Sequence, residues 1–148
     1  MRDIIFRGKR TDNNEWVYGS LVTMDDDVSY GVGVRVFSNM HIIEKKNLEI
    51  RSFLRGCEVW SNNVMIQIIK TSAGQYTGIK DKHGTKIFEG DVIEYRLNGE
   101  FDGIGYVEYM DCQFYTKDKL GEEYRLTDLD KGYSIEIVGN IHDNKDLV

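Results

Sequence analysis

Short apolar runs alternate with polar residues along most of the chain and are separated by glycines or by clusters of Asn and Asp. That period of two is the pattern of β-strands joined by hairpins. Residues 3–8 and 15–23 read as a hairpin about the turn GKRTDNN, and VSYGVGVRVF at 28–37 reads as a strand whose glycines invite bulges. VMIQIIK at 64–70 is a further strand candidate. In DVIEYRL the alternation sets Ile93, Tyr95 and Leu97 on one buried face, with Glu94 and Arg96 pointing away. YSIEIVGNI repeats the pattern with Tyr133, Ile135 and Ile137 on the buried side. GIGYVEYM and CQFYTK lie between these runs, spaced closely enough for a small, strongly bent antiparallel sheet of the SH3-like barrel kind.

One segment breaks the alternation. In HIIEKKNLEIRSFLR, 41–55, Ile43, Ile50 and Leu54 recur at helical spacing, Arg51 and Arg55 sit where a helix C-terminus favours cations, and Gly56 ends the run. The expected fold is therefore mainly β with a minor helix, in two connected parts. A hairpin-rich part covers 1–72 with the helix near 41–55, and an SH3-like β-barrel covers 73–148.

The most patterned stretch is GQYTGIKDKHGTKIFEGDVIEY, Gly74–Tyr95. Its glycines are spaced four, six and six residues apart, which fits neither the dinucleotide fingerprint nor the P-loop, and no helical pattern follows to bind a phosphate. The glycines punctuate strands instead. DKHG is turn chemistry, in which Asp81 caps its own turn and Gly84 takes the left-handed conformation that other residues resist. FEGD is a second kink that redirects the chain into VIEY. Glu89 and Asp91 stand two apart, so a fully extended chain would set them on one side at about 7 Å. As a metal or acid–base pair they lack a histidine, a nucleophile or a third carboxylate tied to them by spacing, and turn and edge solubility is the stronger explanation. His41, His83 and His142 are scattered among polar segments.

Composition narrows the classes. The 148 residues suffice to bury roughly two thirds of the unfolded surface in one domain or two small halves. Proline is absent, which argues against sharply defined linkers. No run approaches the ~20 apolar residues of a membrane span, and MRDIIFRGKR is too short in apolar residues for a secretory signal, so a cytoplasmic location is expected. Cys57 and Cys112 lie far apart outside any CxxC spacing, and buried thiols are expected, with a single structural disulfide as the alternative. No cofactor and no metal is indicated. The net charge of −6 is uneven, residues 1–10 being basic and 101–148 acidic, so the second half would repel a phosphate backbone.

The Gly74–Tyr95 stretch closely resembles the most characteristic motif of the YopX family, small proteins encoded by phages and prophages. IIFRGKRTDNNEWVYGSLV resembles the family's start, and GYVEY followed by IEIVGNIHDNKDLV resembles its ending. Residues from Phe37 to Lys70 depart most, TSAGQYTG standing where a proline-containing lead-in is commoner. The resemblance implies a predominantly β protein in the cytoplasm of an infected or lysogenic bacterium. It implies no reaction, ligand or catalytic residue.

The leading functional reading is a non-catalytic interaction protein that binds a host or phage protein, further copies of itself included. The alternatives are an SH3-like nucleic-acid-binding module, with Tyr95, Tyr106 and Tyr109 as stacking candidates, and a metal-assisted hydrolase built on Glu89 and Asp91. Glu94, Glu100, Asp102, Glu108 and Asp111 oppose the former. The expected contact site is a small basic island, Lys80, Lys82, His83 and Lys86, projected from the tip of the Asp81–Gly84 hairpin.

Overall fold

A computed structural model describes residues 4–26, 37–43, 51–53, 56–58 and 65–147. The chain is mainly β, and its strands fall into two compact units, Ile4–Ala73 and Gly74 onward.

In the first unit β1 (Phe6–Lys9) and β2 (Trp16–Asp26) form the expected hairpin, in register from Phe6 against Gly19 to Lys9 against Trp16. Its turn is closed by the Arg10 guanidinium on the Asp12 carboxylate at 2.8 and 2.6 Å and by the Arg10 N–H on the Glu15 carbonyl at 2.9 Å. β2 pairs antiparallel with β3 (Phe37–Ile43), and β3 with a later strand at Met65–Ile68. Between them in the chain lies a separate hairpin of β4 (Arg51–Phe53) and β5 (Gly56–Glu58), which makes Met65–Ile68 β6. Val17, Ile42 and Ile68 are the buried centre, with Phe6, Leu21 and Ile66 packed against them. Gly8 is required there, because a Cβ would overlap the Ile68 side chain.

The helix expected over 41–55 is corrected at both of its described ends. His41–Ile43 close β3 and Arg51–Phe53 form β4, while 44–50 and 54–55 lie outside the described residues. Strand pairing wins locally because Ile42 faces the core and is fully buried, whereas the helical stripe was drawn through Ile43. The strand read at 28–37 also lies outside the described residues, save Phe37 in β3.

The second unit begins with β7 (Gly74–Lys80) and β8 (Lys86–Phe88), joined by the Asp81–Thr85 turn. β9 (Asp91–Leu97), β10 (Glu100–Met110), β11 (Gln113–Lys117) and β12 (Glu123–Arg125) follow as an antiparallel meander. A short helix, α1 (Leu126–Gly132), precedes β13 (Ser134–Asn140), which returns to pair with β9, giving the strand order β12-β11-β10-β9-β13. Ile87, Ile93, Tyr95, Val107, Phe114 and Ile135 form its core, each worth roughly 1.5–3 kcal/mol of burial for a large apolar side chain.

No closed barrel forms. Among the described residues the five-stranded sheet stays open between β12 and β13, its end strands. α1 packs on β11, β12 and β13 and inserts Leu126 and Leu129 into the core, so a helix covers what closure would have covered. The alternation read in YSIEIVGNI holds, whereas Leu97 is 41% exposed because β9 runs past the core before the Asn98–Gly99 turn. Cys112 is exposed rather than buried. It shares the two-residue β10–β11 turn with Asp111, and both residues have positive φ, 45° and 63°.

Candidate functional site

The patterned stretch is a built turn. Asp81 is buried, and its Oδ1 accepts the N–H groups of His83 at 2.9 Å and Thr85 at 2.8 Å. Burial pushes the Asp81 carboxyl up, but the N–H groups of Thr85, His83 and Ile137 outweigh it and hold the group below its ordinary value. Gly84 has φ +84°, and its N–H donates to the Asp81 carbonyl at 2.9 Å, as the DKHG pattern leads one to expect. Gly78 (φ +93°) coincides with a register shift in the β7–β8 pair, and Gly90 (φ +81°) makes the kink before β9.

That turn does not stand free. The Lys82 N–H donates to the Ile135 carbonyl at 2.8 Å, so the turn seals part of the outer edge of β13. The Lys82 ammonium and, at 3.3 Å, the His83 Nε2 both engage the Glu136 carboxylate, and these two partners hold it below its usual value. Lys86 places its ammonium 5.2 Å from the centre of the Tyr76 ring. Lys80 is exposed. The four residues of the basic island thus lie on or beside one turn, and the Glu136 carboxylate engages two of them, Lys82 and His83.

Glu89 and Asp91 do not form the pair that an extended chain would give, because Gly90 turns the backbone between them. The Asp91 carboxylate is buried and accepts the Phe88 N–H at 2.7 Å. Glu89 Oε2 accepts the Gln75 N–H at 3.4 Å, and burial, aided by the charge of Glu108, pushes its carboxyl up against the N–H groups of Gln75 and Tyr109. Among the described residues no three His, Cys, Asp or Glu side chains converge as metal ligands.

Of the three tyrosines considered for base stacking, Tyr95 is 3% exposed, Tyr106 is half-buried, and Tyr109 is exposed with its ring 4.9 Å from that of Phe114. Tyr95 lies opposite Gly103 in the β9–β10 register, and a Cβ on Gly103 would overlap its Cζ and hydroxyl. The ring therefore crosses the sheet, with those of Tyr124 and Tyr133 each 6.0 Å away.

Sequence reading missed this arrangement. Its parts come from β9, β10, β12 and the residue before β13, and only the glycine opposite an aromatic residue hinted at it.

These units define a mainly antiparallel β-protein with one short described helix. The YopX protein family model matches residues 5–148, and the chain belongs to that family. The crystal structure of protein EF1440 from Enterococcus faecalis is similar over 99% of both chains, with a TM-score of 0.56 and 20% sequence identity. No curated protein matches the chain. Among the described residues no helix is long and apolar enough to cross a membrane.

Proposed function

We propose that this protein is a non-catalytic binding protein, made in a phage-infected or lysogenic bacterium, that recognises a host or phage protein through its unit from Gly74 onward. The observation that carries this reading is a group of exposed large apolar side chains on an acidic unit. Phe101 is 59% exposed beside the Asn98–Gly99 turn, Leu97, 41% exposed, lies on the opposite face of that hairpin, and Leu120 and Tyr124 are exposed in the same unit. Apolar side chains rimmed by charge are the usual make-up of a protein-binding surface.

From residue 74 to the end the chain has nine Lys and Arg against sixteen Asp and Glu, a net −7. That charge opposes nucleic acid as the partner. The basic island at the Asp81 turn is a weaker candidate surface, since Glu136 already holds Lys82 and His83.

The test is affinity capture from infected cells with the wild type and with Leu97→Ser/Phe101→Ser, both confirmed folded by circular dichroism. A stoichiometric protein held by the wild type and lost by the variant is expected. Its retention by the variant, or no partner for the wild type, contradicts the reading.

A further inference from the structure

The alternation in β9 sets Ile93 and Tyr95 in the core and Val92, Glu94 and Arg96 on the other face of the sheet. On that outer face Gly139, Val92, Tyr106 and Lys117 stand in one row across β13, β9, β10 and β11, because directly opposed residues point the same way. Val92 is nevertheless fully buried.

The chain beyond β13 folds back onto that row. Asn140 Oδ1 accepts the N–H groups of His142 and Asp143, both at 2.9 Å, and the Asn144 N–H donates to the Asn140 carbonyl at 2.9 Å, which turns the chain. A Cβ on Gly139 would overlap Asn144 and Leu147, so Leu147 lies against the outer face at this end of the row. At the other end the Lys119 ammonium, two residues past Lys117, donates to the Asp146 carbonyl at 3.3 Å. Residues 141–147 thus form a strap from β13 to the loop after β11.

The strap is lightly fastened at its far end. Lys119 and Asp146 are both exposed, where a hydrogen bond competes with water and contributes little, and Leu147 is half-buried. The face beneath continues the proposed binding surface. Phe101 opposes Arg96 and Ile104 opposes Glu94, so both stand on the outer face with Tyr106. Phe101 is exposed, Ile104 and Tyr106 are half-buried, and the ion pairs Glu94–Arg96 and Lys117–Glu123 border this apolar strip.

We propose that residues 141–147 are an autoinhibitory strap, which closes the Val92–Tyr106 row until an apolar stretch of the protein partner, entering at Phe101, displaces it and lies along Phe101, Ile104 and Tyr106. The partner and Leu147 need the same apolar row, so each excludes the other. The strap keeps Val92 dry in the free chain, and its light fastening lets a partner exchange with it. The proposal rests on the binding role above and adds its regulation.

Gly139→Ala drives a methyl group into Asn144 and Leu147 and should lift the strap, whereas Gly132→Ala, where a Cβ meets nothing within 4 Å, is the control. Lys119→Ala/Leu147→Ser removes both fastenings and serves as the check if Gly139→Ala does not fold. In either strap variant of the full chain, amide exchange of 141–147 should quicken roughly tenfold. The neutral dye Nile red should fluoresce about threefold more strongly than with the wild type, as apolar surface opens. Partner captured from infected cells should be held about threefold more tightly, because the binding-competent form is more populated. Gly132→Ala should match the wild type in all three.

Unchanged dye fluorescence in the strap variants, or the same rise in Gly132→Ala, overturns the strap and leaves the binding role standing. A dye response with the captured partner held equally or more weakly also overturns it, placing the strap away from the partner's surface. A dye response with no partner captured by any form contradicts the binding role and the proposal together.

Discussion

Tyr95 lies across Gly103, its hydroxyl end filling the space a Cβ would need. The glycine is thus a packing requirement of the tyrosine. Gly103→Ala should cost about 1–3 kcal/mol in urea denaturation, the range for overpacking a filled site. Tyr95→Phe should cost less than about 1 kcal/mol, since no hydrogen bond joins its hydroxyl to another described residue. Combining Gly103→Ala with Tyr95→Leu should cost less than the sum of the two changes. Strict additivity would show that ring and glycine do not interact.

Gly84 presents the opposite case. A Cβ there meets nothing within 4 Å, so only its φ of +84° resists a side chain. Gly84→Val should cost about 1–3 kcal/mol through backbone strain, and Gly84→Asn distinctly less. Equal melting temperatures for wild type and Gly84→Val would contradict the turn geometry.

These two glycines mark how far the sequence could be read. Gly84 was legible because its reason is local: Asp81, three residues earlier, caps the same turn. Gly103 was not, because its reason lies on another strand. The same divide separates the hairpin of β1 and β2, announced by its own alternation, from the missing barrel closure, which depends on where Leu126 and Leu129 of α1 land. Their spacing of three beside Asp128 and Lys131 was an available helix signal that the reading passed over. The helix at 41–55 failed for a related cause: Ile42 and Ile43 satisfy either period, and pairing with β2 decides between them. The packing of Tyr95 against Tyr124 joins rings 29 positions apart, and no spacing in the chain could announce it.

Asp81 should impose a pH dependence. Its folded-state value is depressed, so its contribution is complete above the ordinary value of 3.8 and is lost as the pH falls through the folded value. Asp81→Ala should therefore cost about 1–3 kcal/mol near neutral pH, the range for leaving buried N–H groups unpaired. The gap should narrow as acid protonates the wild-type carboxyl. A difference that stays constant from neutral pH into acid would mean that the carboxylate is not what holds the turn.

The Tyr124 phenol, hydrogen-bonded to Glu122 and facing its charge, is pushed up to about 12. Because the folded value is raised, any stability it contributes is complete below 10 and is lost as the pH rises through the folded value. A carbon-13 NMR titration of the tyrosine rings should find one such late phenol, and Glu122→Gln should bring it back toward 10. A Tyr124 that titrates alike in both proteins would show that the Glu122 carboxylate does not hold the phenol.

The central claim, that the acidic unit binds a protein through its exposed apolar side chains, Leu97, Phe101 and Tyr124 among them, while the Asp81 turn serves the fold, is tested most directly by hydrogen–deuterium exchange of the chain alone and with its captured partner. Slowed exchange in 95–103 and 118–124, with the 78–86 turn unchanged, is the expected result. Slowed exchange confined to 78–86, with 95–103 and 118–124 unaffected, would contradict the account and return recognition to the lysine-bearing turn.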